Sequence, residues 1–268
     1  MYVARLALTD FRNYESAHVE FAPGPTVLVG PNGQGKTNLV EAIGFGATLS
    51  SHRVATDAPL VRHGCESAVI SMAVVRGDRR ARLDLSVRAS GANTAKLNGT
   101  TLPRPRDCLG LVRSVLFAPE DLALVKGEPA GRRRFLDGLL IQRQPRYAGV
   151  RSDYDRALRQ RNALLKSVAK SGGRPDDSAR HTLQVWDAQL AASGAELLHG
   201  RAGLVATLAD PVRSDYEGLS GGAGEAVIAY QTAAAPGSIG TGQVEQIRDE
   251  LLASLAEQHH QEFRRGVT

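Results

Sequence analysis

The sequence contains little cysteine and no long apolar run. The two cysteines, Cys65 and Cys108, are far apart and have no Cys or His at metal-ligand spacing, which argues against a disulfide framework and a zinc site. No stretch approaches eighteen consecutive apolar residues, and the first residues lack the basic-then-apolar layout of a signal peptide. We therefore expect a cytoplasmic protein with no membrane segment.

Charge and composition predict a folded protein with an anionic partner. The chain of 268 residues is 42% hydrophobic and 23% charged, close to the average for soluble globular proteins. Its formal net charge is +5, and arginine outnumbers lysine, which suits phosphate or nucleic-acid partners. GC-rich coding DNA also enriches arginine, so the charge alone does not identify the partner.

A glycine-rich phosphate-binding motif lies near the N-terminus. The P-loop pattern G-x-x-x-x-G-K-[ST] is matched by Gly30-Pro31-Asn32-Gly33-Gln34-Gly35-Lys36-Thr37. The apolar residues 26–29 predict a strand before it, and a helix after it is predicted from the common face of Leu39, Val40, Ile43 and Ala47. Such a loop binds a polyphosphate through backbone N–H groups, while Lys36 reaches the β- and γ-phosphates and Thr37 ligates Mg²⁺. The motif therefore predicts ATP and Mg²⁺ as cofactors.

The remaining pattern is first β-rich and then helical. Strands are predicted at residues 2–10, 18–21, 68–75 and 79–87, and a smaller hairpin turns at Asn98-Gly99. After Pro129 the pattern is helical, and apolar side chains recur at helical spacing over residues 147–168 and 183–208. Because a short polar break at residues 171–177 separates these two runs, we expect an antiparallel helix pair.

These elements predict three regions. Residues 1–117 form the N-terminal part of an ATPase domain, residues 118–220 a helical lobe, and residues 221–268 an incomplete return toward the ATPase domain. Within the last region we expect a strand at 226–230, a loop at 236–242 and a helix at 243–260. An independent helical domain is the alternative to an inserted lobe.

Two elements that ATP hydrolysis needs are not evident. An apolar strand that ends in Asp or Glu would ligate Mg²⁺. The nearest candidates are Leu83-Asp84-Leu85 and Phe117-Ala118-Pro119-Glu120-Asp121, and both are poorly placed. Leu219-Ser220-Gly221-Gly222-Ala223 resembles the LSGGQ signature of ABC-type ATPases, yet no acidic strand follows it, so we interpret it as a chance match. No catalytic residue is assigned, and whether the chain is an enzyme stays open.

Further segments match a known family pattern. Near the N-terminus these are Leu8-Thr9-Asp10-Phe11-Arg12-Asn13-Tyr14 and, after the P-loop helix, Ser51-His52-Arg53 with Asp57. The most specific stretch is Phe117-Ala118-Pro119-Glu120-Asp121-Leu122, Leu124-Val125-Lys126-Gly127 and Arg132-Arg133-Arg134-Phe135-Leu136-Asp137. The match continues in Gln160-Arg161-Asn162, Leu164-Leu165-Lys166, Trp186-Asp187 and Gln189-Leu190. Together these segments resemble the RecF family of bacterial recombination mediators over essentially the whole chain.

The resemblance implies a fold and a function. The implied fold is α/β, a P-loop NTPase of the ABC/SMC-like ATPase head type with an inserted α-helical lobe. It implies nucleotide binding by Arg12 and Asn13 as well as by the P-loop. The implied activity is ATP-dependent homodimerisation on single-stranded or gapped DNA with weak DNA-stimulated hydrolysis, which aids recombinase loading in recombinational repair, replication restart and the SOS response. The implied protein partners are RecR-like and RecO-like mediators.

Two questions remain open at this point. Arg132, Arg133 and Arg134 form a basic cluster on a predicted helix and are candidate DNA-binding residues, although a solvated helix face explains any one of them equally well. In the RecF family a segment resembling Arg264-Arg265-Gly266-Val267-Thr268 leads into the true signature and the acidic strand. Because this sequence ends at Thr268, we expect a C-terminally truncated chain. The alternative function is a nucleotide-binding module that does not hydrolyse ATP.

Overall fold

The computed structural model describes residues 1–232 and 243–268. Its strands are β1 (Tyr2–Phe11), β2 (Tyr14–Glu20), β3 (Ser67–Arg76), β4 (Arg79–Arg88), β5 (Thr94–Leu97) and β6 (Thr100–Thr101). Its helices are α1 (Lys36–Thr48), α2 (Leu122–Lys126), α3 (Pro129–Arg143), α4 (Tyr147–Lys170), α5 (Asp177–Ser220) and α6 (Val244–Arg265). The chain separates into two compact units: unit 1 comprises Met1–Gly127 and Ile141–Pro145, and unit 2 comprises Glu128–Leu140 and Arg146–Thr268.

Unit 1 is built on an antiparallel sheet of six strands in the order β2-β1-β3-β4-β5-β6. The two predicted hairpins are confirmed, since β3 pairs with β4 and β5 pairs with β6. The second hairpin turns at Asn98 and Gly99, both with positive φ, which is the backbone that a tight Asn-Gly turn requires. Strand β1 pairs with β3, which lies more than fifty residues later in the sequence. The N-terminal strand is therefore an interior strand of the sheet, between β2 and β3.

Helix α1 covers one face of this sheet. Its buried side chains include Leu39, Ala42 and Phe45, which join the strand residues in one hydrophobic core. Gly46 permits the close approach, because a Cβ at this position would lie 1.8 Å from the Met72 Cε on β3. Val40, which the sequence placed on the apolar face, is 37% exposed. It lies about 100° around the helix from Leu39 and therefore points away from the sheet.

The strand predicted at residues 26–29 is not present. Residues 25–29 form no strand, and Val27 and Val29 are 81% and 89% exposed. An extended apolar segment becomes a strand only when its N–H and C=O groups pair with a neighbouring strand, and no described strand pairs with this one. The predicted strand at residues 226–230 is absent as well.

Unit 2 is helical, and its two longest helices form the predicted antiparallel pair. Arg146, the N-cap residue of α4, donates to Glu196 on α5, and Arg161 further along α4 donates to Asp187 earlier on α5, so the helices run in opposite directions. Helix α6 packs on both of them and confirms the helix predicted at 243–260. No helix in the described ranges is long and apolar enough to span a bilayer.

A buried ionic cluster lies among these three helices. The Arg161 side chain is fully buried and donates to Asp187 on α5 and, through both terminal nitrogens, to Glu262 on α6. His259 is 2.6 Å from the other Asp187 oxygen. Burial opposes the charge on Arg161, but the hydrogen bonds to Glu262 and Asp187 outweigh it and raise the pKa of Arg161. Arg161 is therefore a structural residue and not part of an exposed basic face.

The boundaries of the units differ from the predicted regions. Unit 1 extends to Gly127 instead of residue 117, and α6 belongs to the helical unit instead of returning toward the ATPase domain. Apolar contacts with α4 and α5 decide the position of α6, since Phe263 is buried with Leu165 and Leu183. The loop predicted at residues 236–242 lies entirely outside the described residues, as do residues 233–235.

Candidate nucleotide-binding site

The glycine-rich loop ends directly at the N-terminus of α1. Gly30, Gly33 and Gly35 all have positive φ, and Gly35 caps the helix, which begins at Lys36. No side chain caps this end of α1, and its first turn contains no acidic residue. The first N–H groups of a helix have no intrahelical partner, and the helix dipole places partial positive charge there. The loop therefore presents donors and positive potential to an anion.

Two side-chain arrangements fix the shape of the loop. The Lys36 Nζ donates to the carbonyl oxygens of Gly30 and Pro31 at 2.7 and 2.6 Å, so the side chain lies across the loop. At Gly35 a Cβ would lie 2.7 Å from both the Asn13 Oδ1 and the Tyr14 Oη. With φ at +95°, this position needs glycine for both its conformation and its space.

A buried carboxylate on α1 organises two arginines next to the loop. The Glu41 side chain is fully buried and accepts from the Arg12 Nε at 2.9 Å and from the Arg12 Nη2 at 2.6 Å. It also accepts from the Ser51 hydroxyl at 2.5 Å and from Arg53 at 3.3 Å. This bidentate geometry holds the guanidinium of Arg12 in one orientation.

A polar chain connects the two sides of the site. Arg53 donates to the Asn38 Oδ1 at 2.9 Å, and the Asn38 amide donates to the Asn13 Oδ1 at 2.7 Å. Asn13 is the residue that approaches Gly35, so the chain of hydrogen bonds reaches the glycine loop. Arg12, Asn13, Asn38 and Arg53 therefore form one network in unit 1.

Hydrogen bonds from arginines lower the pKa of two carboxylates in unit 1, Glu41 and Asp10. Burial raises the pKa of Glu41, but the hydrogen bonds from Arg12 and Ser51 and the nearby Arg53 outweigh burial, and the net result is a lowered pKa. The hydrogen bond from Arg62 likewise lowers the pKa of Asp10. Both carboxylates are therefore ionised at neutral pH.

A cavity of about 660 Å³ adjoins this network. It has the size of a small-molecule site, and four of its lining residues are those of the network described above. Its other polar walls are Arg62 and His63. The cavity therefore combines a basic, hydrogen-bonding lining with a position next to the glycine loop.

The structure brings most of the predicted site residues together. The P-loop, Arg12 and Asn13 lie in unit 1 at this site, and the Thr37 side chain at the start of α1 is exposed. Within the described part of the chain, no three His, Cys, Asp or Glu side chains gather to hold a metal. Arg132, Arg133 and Arg134 are exposed on the first turns of α3 in unit 2.

Sequence reasoning missed Glu41. A carboxylate on an amphipathic helix normally indicates a solvent-facing position, and nothing in the spacing shows that Arg12 will meet it. Its position between the buried residues Leu39 and Ala42 was the available signal.

The LSGGQ-like segment lies at the wrong end of a helix for binding phosphate. Helix α5 ends at Ser220, and Gly221 is its C-cap with φ at +61°. The last carbonyl groups of a helix carry partial negative charge, which repels an anion. This geometry agrees with our interpretation of a chance match.

Comparison with known proteins identifies the family. The family model described as RecF/RecN/SMC N terminal domain matches residues 2–231. The DNA replication and repair protein RecF of Kineococcus radiotolerans is 52% identical over 278 residues, a match that covers 100% of this chain and 70% of that relative. The protein of the same name from Streptomyces avermitilis is 52% identical over 271 residues and is covered to 71%.

Solved structures agree with these matches. The recombination mediator protein RecF-ATPrS in the RecFOR pathway superposes with a TM-score of 0.89 at 26% identity, covering 100% of this chain and 70% of that one. The corresponding RecF-ATP structure has a TM-score of 0.87 at 25% identity, with the same coverage. The implied ATPase-head fold is thereby confirmed, and the chain belongs to the RecF family.

Proposed function

We propose that this chain binds ATP with Mg²⁺ at its P-loop and acts in recombinational DNA repair and replication. The observation that carries the proposal is the loop itself, in which three glycines of positive φ lead into an uncapped helix start. Its donors fit a polyphosphate, because they are backbone N–H groups and a lysine. The RecF-ATP structures with TM-scores of 0.87 and 0.89 support the choice of nucleotide.

Different residues would contact different parts of the nucleotide. The loop from Gly30 to Gly35 and the Lys36 ammonium would hold the phosphates, and the Thr37 hydroxyl would ligate Mg²⁺. Arg12 and Asn13 face the cavity of about 660 Å³, whose size suits the rest of a nucleotide. Bound Mg²⁺ supplies charge neutralisation between the phosphates.

The DNA part of the proposal rests on the resemblance and on the names of the relatives. We propose single-stranded or gapped DNA as the substrate, recombinase loading as the outcome, and RecR-like and RecO-like mediators as partners. An ATP-dependent homodimer and a cytoplasmic location belong to the same proposal. The exposed Arg132, Arg133 and Arg134 stay candidates for DNA contact.

The test of the nucleotide site is Lys36→Ala. The change removes a charged phosphate contact worth about 1.5–3 kcal/mol, so the affinity for a fluorescent ATP analogue should fall at least about tenfold. Lys36 is half-buried and contacts loop carbonyls, so the melting temperature should change little. Lys170→Ala, at the exposed end of α4, is the matched control and should bind as the unchanged chain does. Equal ATP affinity in all three proteins would refute the P-loop assignment.

A specific observation favours the second candidate, a module that binds ATP without hydrolysing it. Asp84 alternates with the buried Leu83 and Leu85 of β4, so it points to the sheet face opposite α1 and bonds Ser71 and Arg82. Asp121 accepts from the backbone of Ala118. Asp84 is therefore on the wrong face of the sheet to serve Thr37, and Asp121 already accepts a hydrogen bond within its own turn. ATP turnover above the level of Lys36→Ala, measured in the same assay, would exclude this candidate.

A further inference from the structure

The sheet of unit 1 has a second face that no described helix covers. On β3 and β4 the buried side chains alternate with exposed or half-buried ones, and the same alternation holds on β1. The side chains opposite α1 define what we call the open face, and none of them is buried. The charged side chains of the open face on the four central strands are Arg5, Arg80, Arg82, Asp84, Arg88 and Lys96.

The middle of the open face carries small side chains, and basic side chains surround it. The pairing register places Ala7 next to Ser71 and puts Ala73 between Arg5 and Arg82, so small side chains form the floor. Along β4 the arginines extend from residue 80 to residue 88, a band about 26 Å long at about 3.3 Å per residue. This length is comparable with one turn of a DNA duplex, about 34 Å.

Most of these cations have no carboxylate partner. Asp84 is bonded by Arg82 at 2.9 Å and by Ser71, so this pair is internally neutralised. Arg5, Arg80, Arg88 and Lys96 form no ion pair within residues 1–232 and 243–268. The other carboxylate on this face is Glu20 on the edge strand β2, which lies opposite Arg5 in the register. The open face therefore has an excess of unpaired positive charge.

Most arginines of α4 and α5 have a carboxylate partner. Arg151, Arg156, Arg161, Arg201 and Arg213 are each within ion-pair distance of a carboxylate, whereas Arg159 and Arg180 form no ion pair in the described part of the chain. A paired arginine exchanges its partner for a phosphate at a cost, whereas an unpaired one gives up water and counterions. The open face is therefore better suited to a polyanion than the arginine-rich helices are.

We propose that the open face binds the backbone of double-stranded nucleic acid. Phosphates need positive charge and close approach, which the unpaired cations and the floor of alanine and serine supply. Single-strand binding uses aromatic stacking platforms, and the aromatic rings on this face are limited to the half-buried Tyr2 at one end and His18 on the edge strand. Large apolar side chains, which a protein interface would need at its centre, are limited to Val69 and Val75. This inference rests on the proposed DNA function and assigns it a surface.

The test compares two triple variants with the unchanged chain. Arg80→Ser, Arg88→Ser and Lys96→Ser together remove three unpaired cations from the open face. Arg132→Ser, Arg133→Ser and Arg134→Ser remove the same charge from α3. Binding of a labelled 30-base-pair duplex is followed by fluorescence anisotropy between 50 and 300 mM salt, with and without ATP. A single strand of equal length is measured in parallel.

The expected result is specific to the open face. Each lost phosphate contact lowers the affinity about eightfold at 0.1 M salt and flattens the salt slope by about 0.9. The open-face variant should therefore bind duplex about five hundredfold more weakly, with a slope lower by about 3, and should keep its ATP affinity. A second variant, Arg80→Lys with Arg88→Lys, retains the charge and should bind within about threefold of the unchanged chain.

Three outcomes would overturn the inference in distinguishable ways. If the open-face variant binds as the unchanged chain does while the α3 variant loses binding, the surface is wrong and DNA binding stands. Selective binding of the single strand, unaffected by the open-face changes, would also refute the assigned surface. If the unchanged chain binds neither nucleic acid, the DNA part of the proposed function fails together with the inference. Thermal melting and ATP binding show that each variant is folded.

Discussion

Replacing Glu41 by glutamine tests whether a buried carboxylate holds the arginines beside the glycine loop. The change keeps the shape of the side chain and removes its charge. Glutamine retains one acceptor oxygen for Arg12, but its amide group turns a donor toward the second guanidinium N–H. The bond at 2.6 Å or the one at 2.9 Å is therefore lost, and the contact with Arg53 loses its attraction.

The expected loss of stability is about 3 kcal/mol. Removing one partner of a buried ion pair costs about 3–5 kcal/mol, because the remaining charge is left without compensation. Arg12 is 16% exposed and Arg53 is 38% exposed, so water compensates part of that charge and the lower end applies. The matched control is Glu15→Gln, whose carboxylate is 83% exposed and 4.0 Å from Arg62, and which should cost less than about 0.5 kcal/mol.

The assay is urea denaturation followed by two signals. Far-UV circular dichroism reports both units, while the single tryptophan, Trp186 on α5, reports the helical unit alone. The free energy of unfolding of unit 1 should fall at pH 7 for Glu41→Gln, and the tryptophan transition serves as an internal reference. If the two glutamine variants lose equal stability, the buried cluster does not have the role assigned to it.

The pH dependence gives a second check on the same residue. The pKa of Glu41 is lowered in the folded state, so its contribution is fully present above the unfolded pKa of about 4.3 and is lost as the pH falls through the lower folded pKa. At pH 4 unfolded Glu41 is about two-thirds protonated, and the gap in unfolding free energy between the unchanged chain and Glu41→Gln should narrow by at most about 0.6 kcal/mol. A gap that widens on acidification would contradict the lowered pKa.

Two further substitutions test other parts of the structure. Gly35→Ala places a Cβ within 2.7 Å of two side chains and should abolish ATP binding. The control is Gly99→Ala, which is also at positive φ but has no atom within 4 Å of the added Cβ, and it should leave ATP binding intact. Equal ATP affinities of the two variants would refute the close approach at Gly35. Arg161→Leu removes the cation that two buried carboxylates, Asp187 and Glu262, share, and should cost about 3–5 kcal/mol in urea denaturation of the helical unit. Arg156→Leu, at a position that is 61% exposed, should cost less than about 0.5 kcal/mol, and similar losses would refute the assignment of Arg161 as structural.

Local patterns predicted the elements whose partners are close in sequence. The hairpin at Asn98-Gly99 and the loop at residues 30–37 followed from short motifs, because a turn or a phosphate loop needs particular residues at fixed spacing. The strand predicted at residues 26–29 failed for the opposite reason. Strand pairing depends on a neighbour elsewhere in the chain, and the apolar pattern of Val27 and Val29 contains no information about that neighbour.

The dependence on distant partners also limits what the sequence shows about charged side chains. A net charge of +5 counts Arg161, whose charge is enclosed by two carboxylates, in the same way as Arg80, which has no partner in the described residues. The register between β1 and β3 aligns Arg5 with the arginines of β4, and this alignment spans more than sixty residues of chain. Binding potential therefore depends on pairing and register rather than on arginine content. For this reason the sequence pointed to the cluster at Arg132, whereas the structure points to the open face of the sheet.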